Sequence, residues 1–220
     1  MHIEPVTLAG ETIVLEPLSM THVEEMGNAA LEPSVWRWIP TAVRTVDELR
    51  AYVALALTEQ RSGVSLPFAL RHRTDGTVIG STRYANIVRE HRRLEIGWTW
   101  IVPAYRRTAA NTEMKLLLLR HAFETLGAHR VEFKTDTLNA QSRAALLGIG
   151  ATQEGIFRKH VVCEDGRIRD TVYFSIIDTE WPPVRARLEE RLRNGGHSGE
   201  GTLRGCRAWP ALARSRRRAL

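Results

Sequence analysis

Along the chain, apolar positions recur with two periods, and the changes between them mark out the elements. Residues 11–18 (ETIVLEPL) alternate charged and apolar positions around β-branched side chains and predict a short strand. Residues 20–30 and 46–60 have helical spacing. In the second, Val46, Leu49, Val53 and Leu57 share a face, and Thr45 or Asp47 is placed to cap it. FALRHR at 68–73 and VIGSTRYANI at 78–87 read as strands joined by Thr74-Asp75-Gly76-Thr77, whose Asp-Gly step is a hairpin signal. LEIGWTWIV at 94–102 is a third strand, ended by Pro103, which has no N–H for a ladder.

A long helix is expected from about Asn111 to Leu126, stopped at Gly127. A strand at 130–138 and a short helix from Ala140 to Leu147, broken by Gly148 and Gly150, come next. Residues 155–163 and 168–177 predict a last strand pair turning at Glu164-Asp165-Gly166. Glu180-Trp181-Pro182-Pro183 is expected to close the domain, with one more short helix at Arg185–Arg193. Hairpins make antiparallel pairs, whereas the strand–helix–strand unit 94–138 allows a right-handed parallel crossover. The expected fold is therefore α+β: a mixed, mostly antiparallel sheet with helices on both faces.

Composition adds limits rather than function. None of the 220 residues falls in a run approaching the ~18 apolar residues of a membrane span. Glu4, Glu11, Glu16, Glu24 and Glu25 interrupt the first apolar stretches, so neither a membrane partner nor an export signal is expected. Cys163 and Cys206 have no disulfide-scaffold or metal-type spacing, no metal is expected, and the cytoplasm is the expected location. The net charge of +6 is unevenly placed: residues 185–220 hold ten arginines against three glutamates, which leaves residues 1–184 at −1. The expectation is a domain over 1–184 and a basic, largely disordered tail over 185–220, given the glycine-rich GGHSGEGTLRG stretch. Nucleic acid is not an expected partner of the body; a weak association could come through the Arg214–Arg218 cluster of the tail.

Candidate chemistry concentrates in Trp98–Glu124, WTWIVPAYRRTAANTEMKLLLLRHAFE. A strand runs through a short loop with Arg106 and Arg107 into a helix whose first N–H groups lack partners, an arrangement suited to an anion. Ala109 and Ala110 are small enough to let anion oxygens approach the backbone. The pattern alone is also met by an ordinary capped strand–helix junction.

This junction resembles the pyrophosphate loop of the GNAT superfamily of acetyl-CoA-dependent N-acetyltransferases, whose usual pattern is Arg/Gln-x-x-Gly-x-Gly/Ala. EIGWTW at 95–100, NTEMKLLLLRHAFE at 111–124, VEFKTDTLNAQS at 131–142 and the EG…R segment at 154–158 resemble the branch of the ribosomal-protein alanine acetyltransferases. The similarity covers roughly residues 8–183 and omits the tail. It implies a sheet split between two parallel strands, with acetyl-CoA held across the split as co-substrate. Arg106, Arg107, Thr108, Ala109, Ala110, Asn111 and Thr112 would form the diphosphate loop, largely through backbone N–H groups. Both family glycines are replaced, by Ala109 and Asn111. Alanine resists a positive φ and asparagine tolerates it better.

The same resemblance places the Asn139 amide against the pantetheine arm or the edge of the split between the parallel strands, although Asn139 is also suited to cap the helix that follows. It also turns the Ser142 hydroxyl toward the departing thiolate. Acetyl transfer needs a neutral amine, alignment and a polarised thioester. Glu95 is the candidate base, unless it merely pairs with Arg92 or Arg93; a backbone N–H near Ile101 or Val102 would polarise the thioester. Trp36, Trp38 and Tyr84 are candidates for walls of the acceptor pocket, while His121 and His129 read as packing or surface residues. The expected acceptor is an amine, either a protein N-terminus or a small molecule, and a second copy of the chain is a candidate partner. A non-catalytic CoA-binding or regulatory module is the alternative, supported by the altered glycines.

Overall fold

Strands β1 (Leu8–Ala9), β2 (Ile13–Pro17), β3 (Leu66–His72), β4 (Val78–Val88), β5 (Arg93–Ile101), β6 (Arg130–Asp136), β7 (Thr152–Val162) and β8 (Ile168–Ile177) form one sheet in the order β1-β2-β3-β4-β5-β6-β8-β7. The computed structural model describes residues 1–196, so Cys206 and the Arg214–Arg218 cluster lie outside the described residues. Helices are α1 (His22–Met26), α2 (Pro33–Trp36), α3 (Val46–Arg61), α4 (Ala109–Arg120), α5 (Ala140–Ile149) and α6 (Trp181–Gly196). None of these is long and apolar enough to cross a membrane.

Every neighbouring strand pair is antiparallel except β5 and β6. These two run parallel through Arg93↔Arg130, Leu94↔Val131 and Glu95↔Glu132, and then part. A cause lies in β5 itself. Its register against β4 shifts between Ser81 and Arg83, and Trp98 in that stretch sits at φ +47. A bulge of this kind bends its strand and adds twist, which carries β5 away from β6. The expected α+β sheet with one parallel crossover is thus present, with the parallel contact confined to three residue pairs.

Helix α4 fills the crossover, burying Ala110, Met114 and Leu116–Leu119. It starts at Ala109, earlier than the expected Asn111, because the Thr108 hydroxyl caps it by accepting the Ala110 N–H at 3.3 Å. A π-helical turn, His121–Thr125, carries it on until Gly127, at φ +64, ends it. Glu113 on α4 is buried, and its carboxylate accepts the N–H groups of Glu11, Thr12 and Ile13 at 2.7, 2.9 and 2.8 Å. That contact ties the β1–β2 turn to the helix. It also explains Gly10, where a Cβ would stand 2.3 Å from the Glu113 Cδ.

Trp181-Pro182-Pro183 opens α6 instead of closing the domain. Proline is compatible with the first helical turn, whose N–H groups have no intrahelical acceptor. Val184 and Leu188 are buried, Trp181 stacks on Phe123 at 5.5 Å, and Arg120 of α4 pairs with Glu189 at 3.2 Å. The packed body therefore extends past residue 184 into the segment read as tail.

Candidate active site

Where β5 and β6 part, a cleft of about 730 Å³ opens between β5, the first turns of α4 and α5, the 34–41 loop and the β7–β8 hairpin. The loop leading into α4 forms one end. Its left-handed residue is Arg107, at φ +63, while Ala109 and Asn111 lie inside α4. The two positions where the family pattern has glycine thus need no positive φ here, and their substitution imposes no backbone strain. The N–H groups of Ala109, Ala110 and Asn111 have no intrahelical acceptor, and Thr108 Oγ1 takes the middle one. Arg106 does not extend as a free cation. Its Nε donates to the Ile101 carbonyl at 2.9 Å, and its terminal nitrogens donate to Ser34 O at 3.2 Å and Oγ at 3.4 Å. It braces the loop against β5 and the 34–41 segment, and it lines the cleft together with Arg107, Asn111 and Lys115.

The backbone of β5 separates two residues that sequence reasoning treated alike. Val102 N–H donates to the Ile79 carbonyl at 2.9 Å, so it serves the β4 side and cannot face a ligand. Successive residues turn their peptide groups to opposite edges of a strand. Ile101 N–H therefore faces the parted edge, where the Ile101 carbonyl meets Arg106.

Glu95 stands at the last paired position before the split and is 4% exposed. Its Oε2 accepts Asn86 Nδ2 at 2.6 Å and lies 2.7 Å from Lys134 Nζ. Its Oε1 lies against Gly97, where a Cβ would come within 2.7 Å of it. Arg93, one of the expected partners, pairs instead with Glu132 at 3.3 Å. Burial is the largest single influence on the Lys134 ammonium and works against it, but the charge and hydrogen bond of Glu95, with Tyr173 and Glu132, together outweigh it and the Lys134 pKa is raised. Lys115 shows the opposite balance: desolvation pulls its pKa from 10.5 down to about 7, and Glu95 opposes that only partly. Its Nζ lies 4.8 Å from the centroid of the Phe133 ring.

At the start of α5, Asn139 caps the helix by accepting the Ser142 N–H at 3.0 Å, and both residues also line the cleft. Trp38 lines the cleft too, but Trp36 does not. Trp36 is 3% exposed, donates its Nε1 to the Ala30 carbonyl at 2.6 Å, and packs on Tyr52 and Trp100 behind the wall. Tyr84 is likewise withdrawn from the acceptor pocket. It is fully buried and donates its hydroxyl to the Leu118 carbonyl at 2.6 Å, because its position on β4 faces α4. Their expected roles as walls are corrected accordingly.

Several cleft residues escaped the sequence reading: Asn86, Lys115, Lys134, His160, Arg169 and Thr171. Lys115 alone left a local signal, as a single charge within the apolar run MKLLLL. Among the described residues, Glu95 is the one carboxylate in a lining that holds Arg37, Arg106, Arg107, Lys115, Lys134 and Arg169.

Comparisons with known proteins agree with this geometry. The family model for the acetyltransferase (GNAT) domain matches residues 12–152. The uncharacterized N-acetyltransferase YoaA of Bacillus subtilis (strain 168) is 28% identical over 122 residues, which is 56% of this chain and 67% of that protein. A GCN5-related N-acetyltransferase from Brucella melitensis superposes with a TM-score of 0.80 at 30% identity, covering 86% of each chain. Mycobacterium smegmatis RimJ, solved in complex with CoA-disulfide, shares the fold with a TM-score of 0.74 at 23% identity, over 84% of this chain and 94% of that one.

Proposed function

The chain belongs to the acetyltransferase (GNAT) family and is an acetyl-CoA-dependent acetyltransferase; from that premise we propose that it acetylates a primary amine by direct attack within a ternary complex. The observation that carries this reading is the parting of β5 and β6 immediately beyond a buried carboxylate. Bound acetyl-CoA supplies an activated thioester. The chain supplies position, a donor and a proton acceptor.

The N–H groups of Ala109 and Asn111, with the Arg107 cation, hold a diphosphate at the mouth of α4, while the Ala110 N–H stays with its Thr108 cap. Arg106 contributes through its brace on Ile101 rather than as a free arm. Ile101 N–H lies on the open edge of β5 and is the donor for a thioester oxygen there; a fixed backbone dipole needs no reorganisation as charge develops. An amine reaches this edge as an ammonium ion and must lose a proton before it attacks. Glu95 takes that proton, directly or through water, at Oε1, the oxygen not engaged by Asn86 and Lys134. The Ser142 hydroxyl returns a proton to the leaving thiolate, while Asn139 fixes the turn that presents it. Trp38 forms part of the acceptor wall. The acceptor is a protein N-terminus or a small-molecule amine.

The non-catalytic alternative drew its support from the altered glycines. With the left-handed position at Arg107 and both replacements inside α4, that support is gone. The experiment is thiol release from acetyl-CoA with an amine panel, alongside the Glu95→Gln variant. Acetyl-CoA is expected to raise the melting temperature of both proteins. Glu95→Gln is expected to lower kcat by ~10²-fold at neutral pH, with partial recovery at high pH where free amine is abundant. An unchanged kcat in Glu95→Gln removes Glu95 from the reaction, and a cofactor that binds without turnover of any amine returns the chain to the non-catalytic class.

A further inference from the structure

Arg169 lies on β8 and is 7% exposed, yet it lines the cleft. Its Nε is buried without a hydrogen-bond partner, and a terminal nitrogen reaches the Trp38 carbonyl at 3.5 Å, the outer limit for such a bond. A guanidinium cannot shed its charge by losing a proton, so a buried one requires an opposite charge or a full set of acceptors. The carboxylates that act on it are otherwise engaged. Asp136 is held by Arg167 at 2.7 Å, and Glu95 by Lys134 at the same distance. Two residues along β8, on the same face, Thr171 is 1% exposed with its hydroxyl also lacking a partner. A fork of donors and a hydroxyl therefore stand side by side in a buried wall, with no protein anion between them among the described residues.

Trp38 belongs to the 34–41 segment, which docks on the β7–β8 hairpin through Glu164: the Glu164 N–H donates to the Pro40 carbonyl at 3.0 Å, and just beyond the segment its carboxylate accepts the Ala42 N–H at 2.8 Å and pairs with Arg44 at 2.6 Å. Arg169 meets this docked segment at Trp38 and stands on β8, a different element from the α4 mouth assigned to the diphosphate.

We infer that Arg169 and Thr171 form a subsite for a carboxylate carried by the acceptor, so that the amine acetylated here belongs to an amino acid or to a peptide end with an acidic residue. The Arg169 fork binds the carboxylate bidentately and Thr171 donates a third bond, which satisfies both orphaned groups at once. This inference rests on the amine-acetylation reading above and narrows its substrate class.

The test begins with the wild-type protein. Free amino acids are compared with their carboxamides, and tripeptides carrying Glu in the first two positions with their Gln counterparts, using thiol release. The carboxylate member of a pair is expected to show kcat/KM at least ~10-fold higher, equivalent to ~1.4 kcal/mol, with most of the change in KM. The arm that shows the preference identifies the source, free amino acid or acidic peptide end. Arg169→Met is expected to bring the carboxylate substrate down to its amide's level and so abolish the preference between the two. Equal rates for acid and amide in both arms overturn the inference, and so does a preference that survives Arg169→Met. The same pairs are also run as ligands of the CoA-loaded wild-type protein by thermal shift. Carboxylate-selective binding without turnover upholds the subsite and refutes amine acetylation; turnover without selectivity does the reverse.

Discussion

Replacing Lys115 with methionine removes one cation from beside the split while keeping a long, unbranched side chain on α4. Lys115 is 8% exposed and packs over Phe133, and burial draws its pKa from 10.5 down to about 7. The sign of the effect follows from linkage. A base with a lower pKa in the folded state leaves the unfolded chain holding more protons between about pH 7 and 10.5, so unfolding free energy rises with pH across that window. Below the window both states are charged and the folded protein bears the whole cost; above it both are neutral and the cost is absent. At ~1.4 kcal/mol per pKa unit, the drop from 10.5 to about 7 caps that cost at ~5 kcal/mol.

The assay is urea unfolding of wild type and Lys115→Met at half-unit steps from pH 6 to pH 10. At pH 6 the variant is expected to be more stable by ~2–5 kcal/mol. The gap should close toward pH 10, with a difference in slope of up to ~1.4 kcal/mol per pH unit. Parallel stability profiles would refute the reasoning, since they would mean that Lys115 ionises alike in both states. A variant less stable than wild type at pH 6 would do the same, by showing that the ammonium contributes more than its burial costs.

Two further substitutions probe the loop and its anchor. Glu113→Gln keeps the size of the side chain but sets an amide N–H₂ against the N–H groups of the β1–β2 turn; thermal unfolding should show a loss of ~3 kcal/mol. A loss below ~1 kcal/mol would mean that the turn finds other acceptors. Arg107→Gly should raise stability by ~0.5–1 kcal/mol, because glycine adopts the φ of +63 without the Cβ penalty. The KM for acetyl-CoA should rise severalfold with the loss of charge. A clear drop in melting temperature would show that the Arg107 side chain makes contacts that outweigh its backbone strain.

Much of the scaffold was legible along the chain, because its signals act within a few residues. Strand-like runs bounded by turn residues marked β2 to β8, and the Asp-Gly steps at 75–76 and 165–166 marked two of the hairpins. Thr45 and Asn139 cap helices as their positions suggested, and the strand–loop–helix junction at 98–124 is where the cleft opens. What chain-local patterns could not specify is which residues share the cleft. Trp36 ends α2 and Trp38 stands two residues on, yet the first packs on Tyr52 and the second faces the cleft, a difference set by how the segment after α2 docks. Tyr84 and Glu95 lie on adjacent antiparallel strands, but burial against α4 takes the first and the parting of β5 from β6 exposes the second to the cleft. Lys134 meets Glu95, and Arg169 meets Trp38, through strand order and loop docking that join distant stretches of chain. Secondary structure follows from neighbours a few residues apart, whereas a binding site is an agreement between side chains brought together across the sheet, and that agreement exists only once the chain is folded.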